Sequence, residues 1–274
     1  MPSRTRVPAL AGALARACHP APTVAVTVLA GLAAVVAGHT AAGVALVTLA
    51  VLAGQLTIGW SNDLLDAERD RAVGRGDKPV ATGELPVPVL RGALAGAVVV
   101  CLGASTLLGM AAGLTHVVLL VGSGLAYNLV LKRTLLSWLP YVVAFGSLPA
   151  VVWLALDPPQ LPPVWTMAVG SLLGFGAHLV NVIPDLADDA ATGVRGLPHR
   201  LGARATGVLA VLVLTTGSAV AVLGPDGPAP GWAWALLVGA GVLAVGALLR
   251  GGRAPFRSAL VIAVVNVVML LVRA

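Results

Sequence analysis

Asp63, Asp66 and Asp70 stand at positions i, i+3 and i+7, and Asp185, Asp188 and Asp189 at i, i+3 and i+4. On a helix turning about 100° per residue, each triplet shares one face. Carboxylates crowded on one face repel each other unless cations lie between them. Mg2+ suits such a set, because it takes oxygen ligands and commonly joins a few carboxylates to the phosphates of a substrate. The six acids, with Asn62 one turn before Asp66, are therefore expected to form two facing metal sites. Basic residues are interleaved with them: Arg75 and Lys78 follow the first cluster, Lys132 and Arg133 lie between the two, and Arg195 follows the second. Metal ions and these cations together would stabilise a diphosphate, both bound and as a leaving group.

The elements that must position these residues follow from composition. Of 274 residues, 58% are hydrophobic and 10% charged, with a mean hydropathy of +0.96. Soluble domains are about 25% charged, so the bilayer must serve as solvent. Apolar runs between polar or Pro/Gly punctuation predict nine transmembrane helices near 21–38, 41–60, 87–110, 113–131, 136–156, 164–183, 205–223, 232–249 and 256–272. The expected fold is all-α, a polytopic membrane protein forming one domain over 1–274. Four spans separate the two acidic clusters, so helices 1–4 and 5–8 are expected as parallel pseudo-repeats around a central cavity, with a last helix added. The first run has the basic flank of a signal peptide, but eight more spans follow and it is expected to be a retained helix.

A cytoplasmic N-terminus places 16 of 17 Lys and Arg inside and leaves only Arg273 outside. Both acidic clusters then open to the cytoplasmic side, and the plasma membrane of a prokaryote is the expected location. The net charge of +6 does not indicate nucleic acid, because the basic residues form no continuous stripe. No protein partner is indicated. Cys18 and Cys101 imply neither a disulfide framework nor a metal knuckle.

Nine of the eleven acids lie in 63–84 or 185–189. Within them Glu68, Asp77 and Glu84 fall off the shared face or farther along the loop, and are expected to pair with nearby Arg and Lys. Polar residues inside spans are rare and point to function or interhelical bonding. Gln55, His178 and Asn181 are expected to line the cavity below the metals, where an acceptor would lie. His39 and His116 fall near the outer face, and Asn266 reads as packing between helices. Trp165, Trp232 and Trp234 at the outer boundary, and Trp60 and Trp138 at the inner one, are expected as interface anchors.

Asn62-Asp63-Leu64-Leu65-Asp66-Ala67-Glu68-Arg69-Asp70 resembles the NDxxDxxxD motif of the UbiA-type intramembrane prenyltransferases. Lys78-Pro79 through Thr82-Gly83 is similar to the segment that follows it. Asp185-Leu186-Ala187-Asp188-Asp189, with Gly193 and Leu197-Pro198 after it, resembles the family's second acidic motif. Tyr127-Asn128-Leu129-Val130-Leu131-Lys132 is similar to its third feature, with Tyr-x4-Lys where many relatives have Tyr-x3-Lys. The resemblance implies a nine-helix fold and Mg2+-dependent transfer of a prenyl group from its diphosphate to a small, commonly aromatic or quinone-precursor, acceptor. It implies that Asp63, Asp66 and Asp70 hold one metal, Asp185 and Asp189 the other, that Asn62 orients or ligates, and that Lys132 contacts diphosphate. Asp66, Asp185 and Lys132 would be catalytic, while Tyr127, Asn128, Arg133, Arg75, Lys78, Arg195, Gln55, Asn181 and His178 would face substrate.

A UbiA-type terpene cyclase, in which a double bond of the same chain attacks the cation, shares every one of these features. The eleven Phe, Trp and Tyr residues offer few rings to guide a cyclisation, which favours transfer. A transporter would carry its charges near the bilayer midplane, whereas the acids here lie at helix ends or in loops. The paired-Asp motif of CDP-alcohol phosphotransferases is absent.

Overall fold

The computed structural model describes residues 6–186, 189 and 193–274, and these are helical throughout apart from connecting turns. Asp188 lies outside the described residues. The helices are α1 (Arg6–Ala17), α2 (Pro20–Val36), α3 (Ala41–Ala72), α4 (Val87–Leu107), α5 (Met110–Leu129), α6 (Leu139–Leu154), α7 (Val164–Val182), α8 (Leu197–Leu223), α9 (Gly231–Arg250) and α10 (Ala254–Arg273). By length and apolarity seven of them can cross a bilayer, or eight if α1 and α2, which meet at 73°, form one bent span. The apolar α6 has only 16 residues. The expectation of nine spans thus exceeds what length and apolarity alone support.

Helix α3 departs most usefully from the expected boundary. Thr40 caps it by accepting a hydrogen bond from Gly43 N, no Gly or Pro follows until Gly74 except at Gly43, Gly54 and Gly59, and the helix runs 32 residues instead of stopping near Trp60. At 1.5 Å per residue it is about 48 Å long, so its last turns project past a hydrocarbon core of about 30 Å. That projection carries the first acidic motif on rigid helix. Gly74, at φ 71, ends it.

The helices close a ring in which α2 packs on α3, α3 on α5, α5 on α6, α6 on α7, α7 on α8, α8 on α10 and α10 back on α2. Close approach depends on small residues. A Cβ on Gly170 or Gly174 of α7 would stand 2.5 Å from Phe145 O or 2.3 Å from Tyr141 O of α6. One end of the ring is filled by a cluster containing Leu29, Val47, Val51, Leu120, Leu148 and Val152. The other end, where the acidic motifs lie, stays open.

Helix α1 was not expected. Ala13 and Ala17 pack with Ala67, Val80, Leu85 and Leu90 in a separate cluster beside the motif end of α3. Trp60, expected as an interface anchor, instead donates its indole N–H to Leu14 O at 3.0 Å and holds α1 in place. Trp165 is likewise a packed core residue, beside Val169 and Met269, because α7 turns it toward α8 and α10 rather than toward lipid headgroups. Asn266 bonds Ser218 Oγ and Leu214 O of α8, as expected of a packing residue.

Candidate active site

A cavity of about 1500 Å3, counting its open mouth, lies between α2, α3, α5, α6 and α7. Asn62, Asp66, Asp70, Asp185 and Asp189 all line it, so the two motifs separated by more than 110 residues face one space. Arg75, in the loop after the first motif, has one guanidinium nitrogen 3.9 Å from Asp185 of the second and makes two hydrogen bonds of 2.9 Å to Asp77. Those bonds hold the Asp77 carboxyl down at about 2. Arg16 pairs with Glu84. Asp77 and Glu84 therefore pair with nearby arginines, as expected of residues off the shared face.

Helix α5 contains a wider π turn over Thr115–Val121, then returns to α-helix and ends in a 3-10 turn at Leu131–Arg133. Asn128 and Lys132, four residues apart, consequently point the same way into the bundle. Asn128 donates to Ile58 O at 2.9 Å and to Ser61 Oγ at 3.1 Å, which ties α5 to α3. Lys132 Nζ reaches Asp66 Oδ1 at 2.6 Å, and Arg69 donates to the other carboxylate oxygen at 3.1 Å. Arg69 also stands 3.6 Å from Asp70. Burial pulls the Lys132 ammonium below its ordinary pKa, while the bond to Asp66 opposes that shift. Asp189, beside His199 at 3.4 Å, is pushed up by burial.

Not every expected site residue reaches the cavity. Asp63 is 1% exposed and does not line it: Lys78, which does, covers it with a bond of 3.1 Å to Oδ1. His178 was expected on the wall but sits one layer behind, bonded to Ser137 Oγ at 3.1 Å and packed against Tyr127 and Tyr141. The tyrosine rings occupy the space between it and the cavity. Arg133 and Arg195 are exposed and lie off the lining, because the turns that carry them direct them to solvent. Gln55, Asn181 and Tyr127 line the cavity as expected. Gln55 lies eleven residues below Asp66 on α3, about 16 Å deeper.

Four further residues join the site without having been singled out in the sequence: His19, Arg69, Tyr141 and His199. Arg69 lies inside the first motif, and a His-Pro pair opening an apolar run was the available signal for His19. Tyr141 and His199 belong to apolar or mixed stretches with no local mark. Burial and Lys78 push the His19 imidazole, in the break between α1 and α2, down to about 4.

The donors lining the mouth are oxygen atoms of Asn62, Asp66, Asp70, Asp185 and Asp189, hard ligands of the kind Mg2+ takes. Among the described residues no three His, Cys, Asp or Glu side chains gather closely enough to hold a metal by themselves. That spacing suits an ion shared between one or two carboxylates and the phosphates of a ligand, which is the usual manner of Mg2+. The donor set therefore fits the expected metal.

The chain matches the UbiA prenyltransferase family over residues 24–269. It belongs to that family. The match includes both acidic motifs and Lys132, while Cys18, His19, Pro22 and Thr23 of the cavity lining lie before it. Solved UbiA structures share the fold. The apo form of a UbiA homologue from Aeropyrum pernix K1 has a TM-score of 0.72 at 18% identity, covering 91% of this chain and 97% of that one. A digeranylgeranylglyceryl phosphate synthase has 0.73 at 14% identity, covering 96% and 97%. A UbiA homologue from Archaeoglobus fulgidus, bound to GPP and Mg2+, has 0.70 at 11% identity, covering 95% and 98%. No curated protein matches the chain. As a UbiA prenyltransferase family member built of long apolar helices, the protein is an integral membrane protein.

Proposed function

We propose that the protein ionises a prenyl diphosphate with Mg2+ and transfers the prenyl group to a small aromatic or quinone-precursor acceptor, in a site open to the cytoplasmic side. The observation that carries this reading is the convergence of both acidic motifs and Lys132 on one cavity whose deeper walls are Val26, Ile58, Leu120 and Phe145. The Archaeoglobus homologue bound to GPP and Mg2+ supports the same ligand pair. The excess of Lys and Arg at the motif end supports the orientation, and a prokaryotic plasma membrane is the location we assign.

Asn62, Asp66 and Asp70 would hold one metal ion and Asp185 and Asp189 another, with Asp188 adjoining them in sequence; Asp63 would act through Lys78. Bound Mg2+ supplies positive charge to the diphosphate oxygens. Lys132, Arg69, Arg75 and Lys78 add charge around the same group. The bond from the allylic carbon to the diphosphate oxygen breaks, and its electron pair leaves with diphosphate. A carbon of the acceptor then bonds the allylic carbon and loses a proton. The cavity wall excludes water, which would otherwise capture the cation. Gln55, in the deeper part, and Asn181, one turn before Asp185, are uncharged amides on the cavity lining that suit an acceptor bearing hydroxyl or carbonyl groups.

A second reading has a specific observation in its favour. Tyr127 and Tyr141 meet edge to face at 5.2 Å and Phe145 stacks on Tyr141, so three of the eleven aromatic residues form one wall of the cavity. Such a wall could steer a cation through a cyclisation. Reconstitution in lipid vesicles with C10 to C45 prenyl diphosphates, with and without Mg2+ and candidate arenes, separates the two. An acceptor adduct supports transfer, and a cyclic hydrocarbon or alcohol formed without acceptor supports the cyclase. Diphosphate release unchanged by both Asp66→Ala and Asp185→Ala would refute the metal-site assignment.

A further inference from the structure

His19 stands between α1 and α2 with φ 56 and ψ 70, a left-handed conformation that no other described non-glycine residue adopts. Such a conformation is strained for a residue with a Cβ and persists where the surroundings hold it. What holds it here is visible. The ring lines the cavity, and its Nε2 lies 3.2 Å from Asn62 Nδ2 and 3.2 Å from Lys78 Nζ. The Lys78 ammonium is a donor only, so Nε2 is the acceptor and the ring is neutral with its proton on Nδ1, its one lone pair shared between Lys78 and the Asn62 amide. The backbone is pinned as well: a Cβ on Gly59 would stand 2.4 Å from Cys18 O, and Thr23 Oγ1 donates to that same carbonyl at 2.7 Å.

Both residues bound by His19 belong to the candidate diphosphate end. Lys78 is held between His19 and Asp63, which fixes its ammonium at the cavity wall. Asn62 commits its NH2 to His19 and thereby keeps Oδ1, the one atom of the amide able to meet a cation, available to a ligand. We propose that His19 is a positioning residue: a neutral imidazole acceptor, delivered by the α1–α2 break, that orients the Asn62 amide for metal and the Lys78 ammonium for diphosphate. This rests on the reading of the site as a metal-diphosphate centre. It adds that α1, although outside the ring of spans, is part of the machinery that shapes the mouth.

The test uses Mn2+ as a spectroscopic probe on the full chain in detergent, with geranyl diphosphate release measured alongside. His19→Leu removes the acceptor, whereas His19→Gln restores one at the same number of bonds from the backbone. His19→Leu is expected to weaken Mn2+ binding by about tenfold, the lower range for loss of a group supporting a metal ligand, and to raise KM for geranyl diphosphate. His19→Gln is expected to recover most of both, with the two variants melting alike because they share the backbone strain. Equal Mn2+ binding by wild type and His19→Leu, or equal loss in both variants, overturns the proposal. A wild type that binds no Mn2+ and releases no diphosphate overturns the metal-diphosphate reading and this inference together, so the two failures are distinguishable. If His19→Leu does not fold, 15N-histidine NMR of the wild type decides: Nε2 must be unprotonated and must shift in Lys78→Met, and a protonated or unresponsive Nε2 overturns the proposal.

Discussion

At the scale of single residues, the charges of the site are arranged in pairs that a ligand must rearrange or join. Lys132 and Asp66 are each buried and lie 2.6 Å apart. Lys132→Met is therefore expected to leave Asp66 paired with Arg69 but to lower kcat/KM for diphosphate release by about 100-fold or more, the scale for loss of one aligned charge stabiliser. Lys132→Arg is not expected to restore it, because a planar fork does not replace a compact ammonium in a buried slot. Radiolabelled prenyl diphosphate assays measure both. The Arg75–Asp77 pair gives a pH signature. Its carboxyl is held at about 2, below the ordinary 3.8, so the stabilisation is complete above the ordinary value and is lost as pH falls through 2. The Tm of Asp77→Asn should lie slightly below that of wild type at pH 6, and the gap should close toward pH 2. The aspartates were legible in the sequence because a helical period is a local property. Lys78 covering Asp63 was not, since that contact joins residues fifteen positions apart across a loop.

At the scale of elements, the site depends on where helices end and how closely they approach. The last turns of α3 carry Asn62 to Asp70 beyond the apolar core, and the turn at Leu131–Arg133 brings Lys132 to meet them. Hydropathy located the apolar part of α3 but stopped at Trp60, since charge on a helix resembles charge in a loop when only polarity is counted. Gly174 sets the spacing of α6 and α7. Gly174→Val is expected to push Tyr141 from the cavity wall and to destabilise the protein by about 1–3 kcal/mol, the range for overpacking. Thermal size-exclusion profiles check the stability, and diphosphate release checks the wall. Gly59→Ala should act on α1 in the same way: its Cβ would meet Cys18 O at 2.4 Å, and the predicted result is reduced metal affinity.

At the scale of the whole molecule, a ring of helices sealed at one end by an apolar cluster and open at the other gives a polar mouth above a greasy interior. Orientation is testable directly. Cys18 and Cys101 are buried, so single cysteines placed at exposed positions report with little background. A cysteine at Thr82 should react with a membrane-impermeant maleimide in inverted vesicles, and one at Pro228 in right-side-out cells; the reverse pattern would place the mouth outside. From the sequence alone came the membrane as solvent, the all-helical class, the two acidic faces, Lys132 and the family resemblance. These follow from composition, from periods within one helix and from spacing within short motifs, all of which are local. Tertiary structure alone decided that Asp63 and His178 stand a layer behind the cavity and that Tyr141 lines it. It also decided that a histidine from the α1–α2 break reaches Asn62 and Lys78. Those outcomes depend on which helices become neighbours and how near their small residues let them come, information carried by contacts between distant parts of the chain.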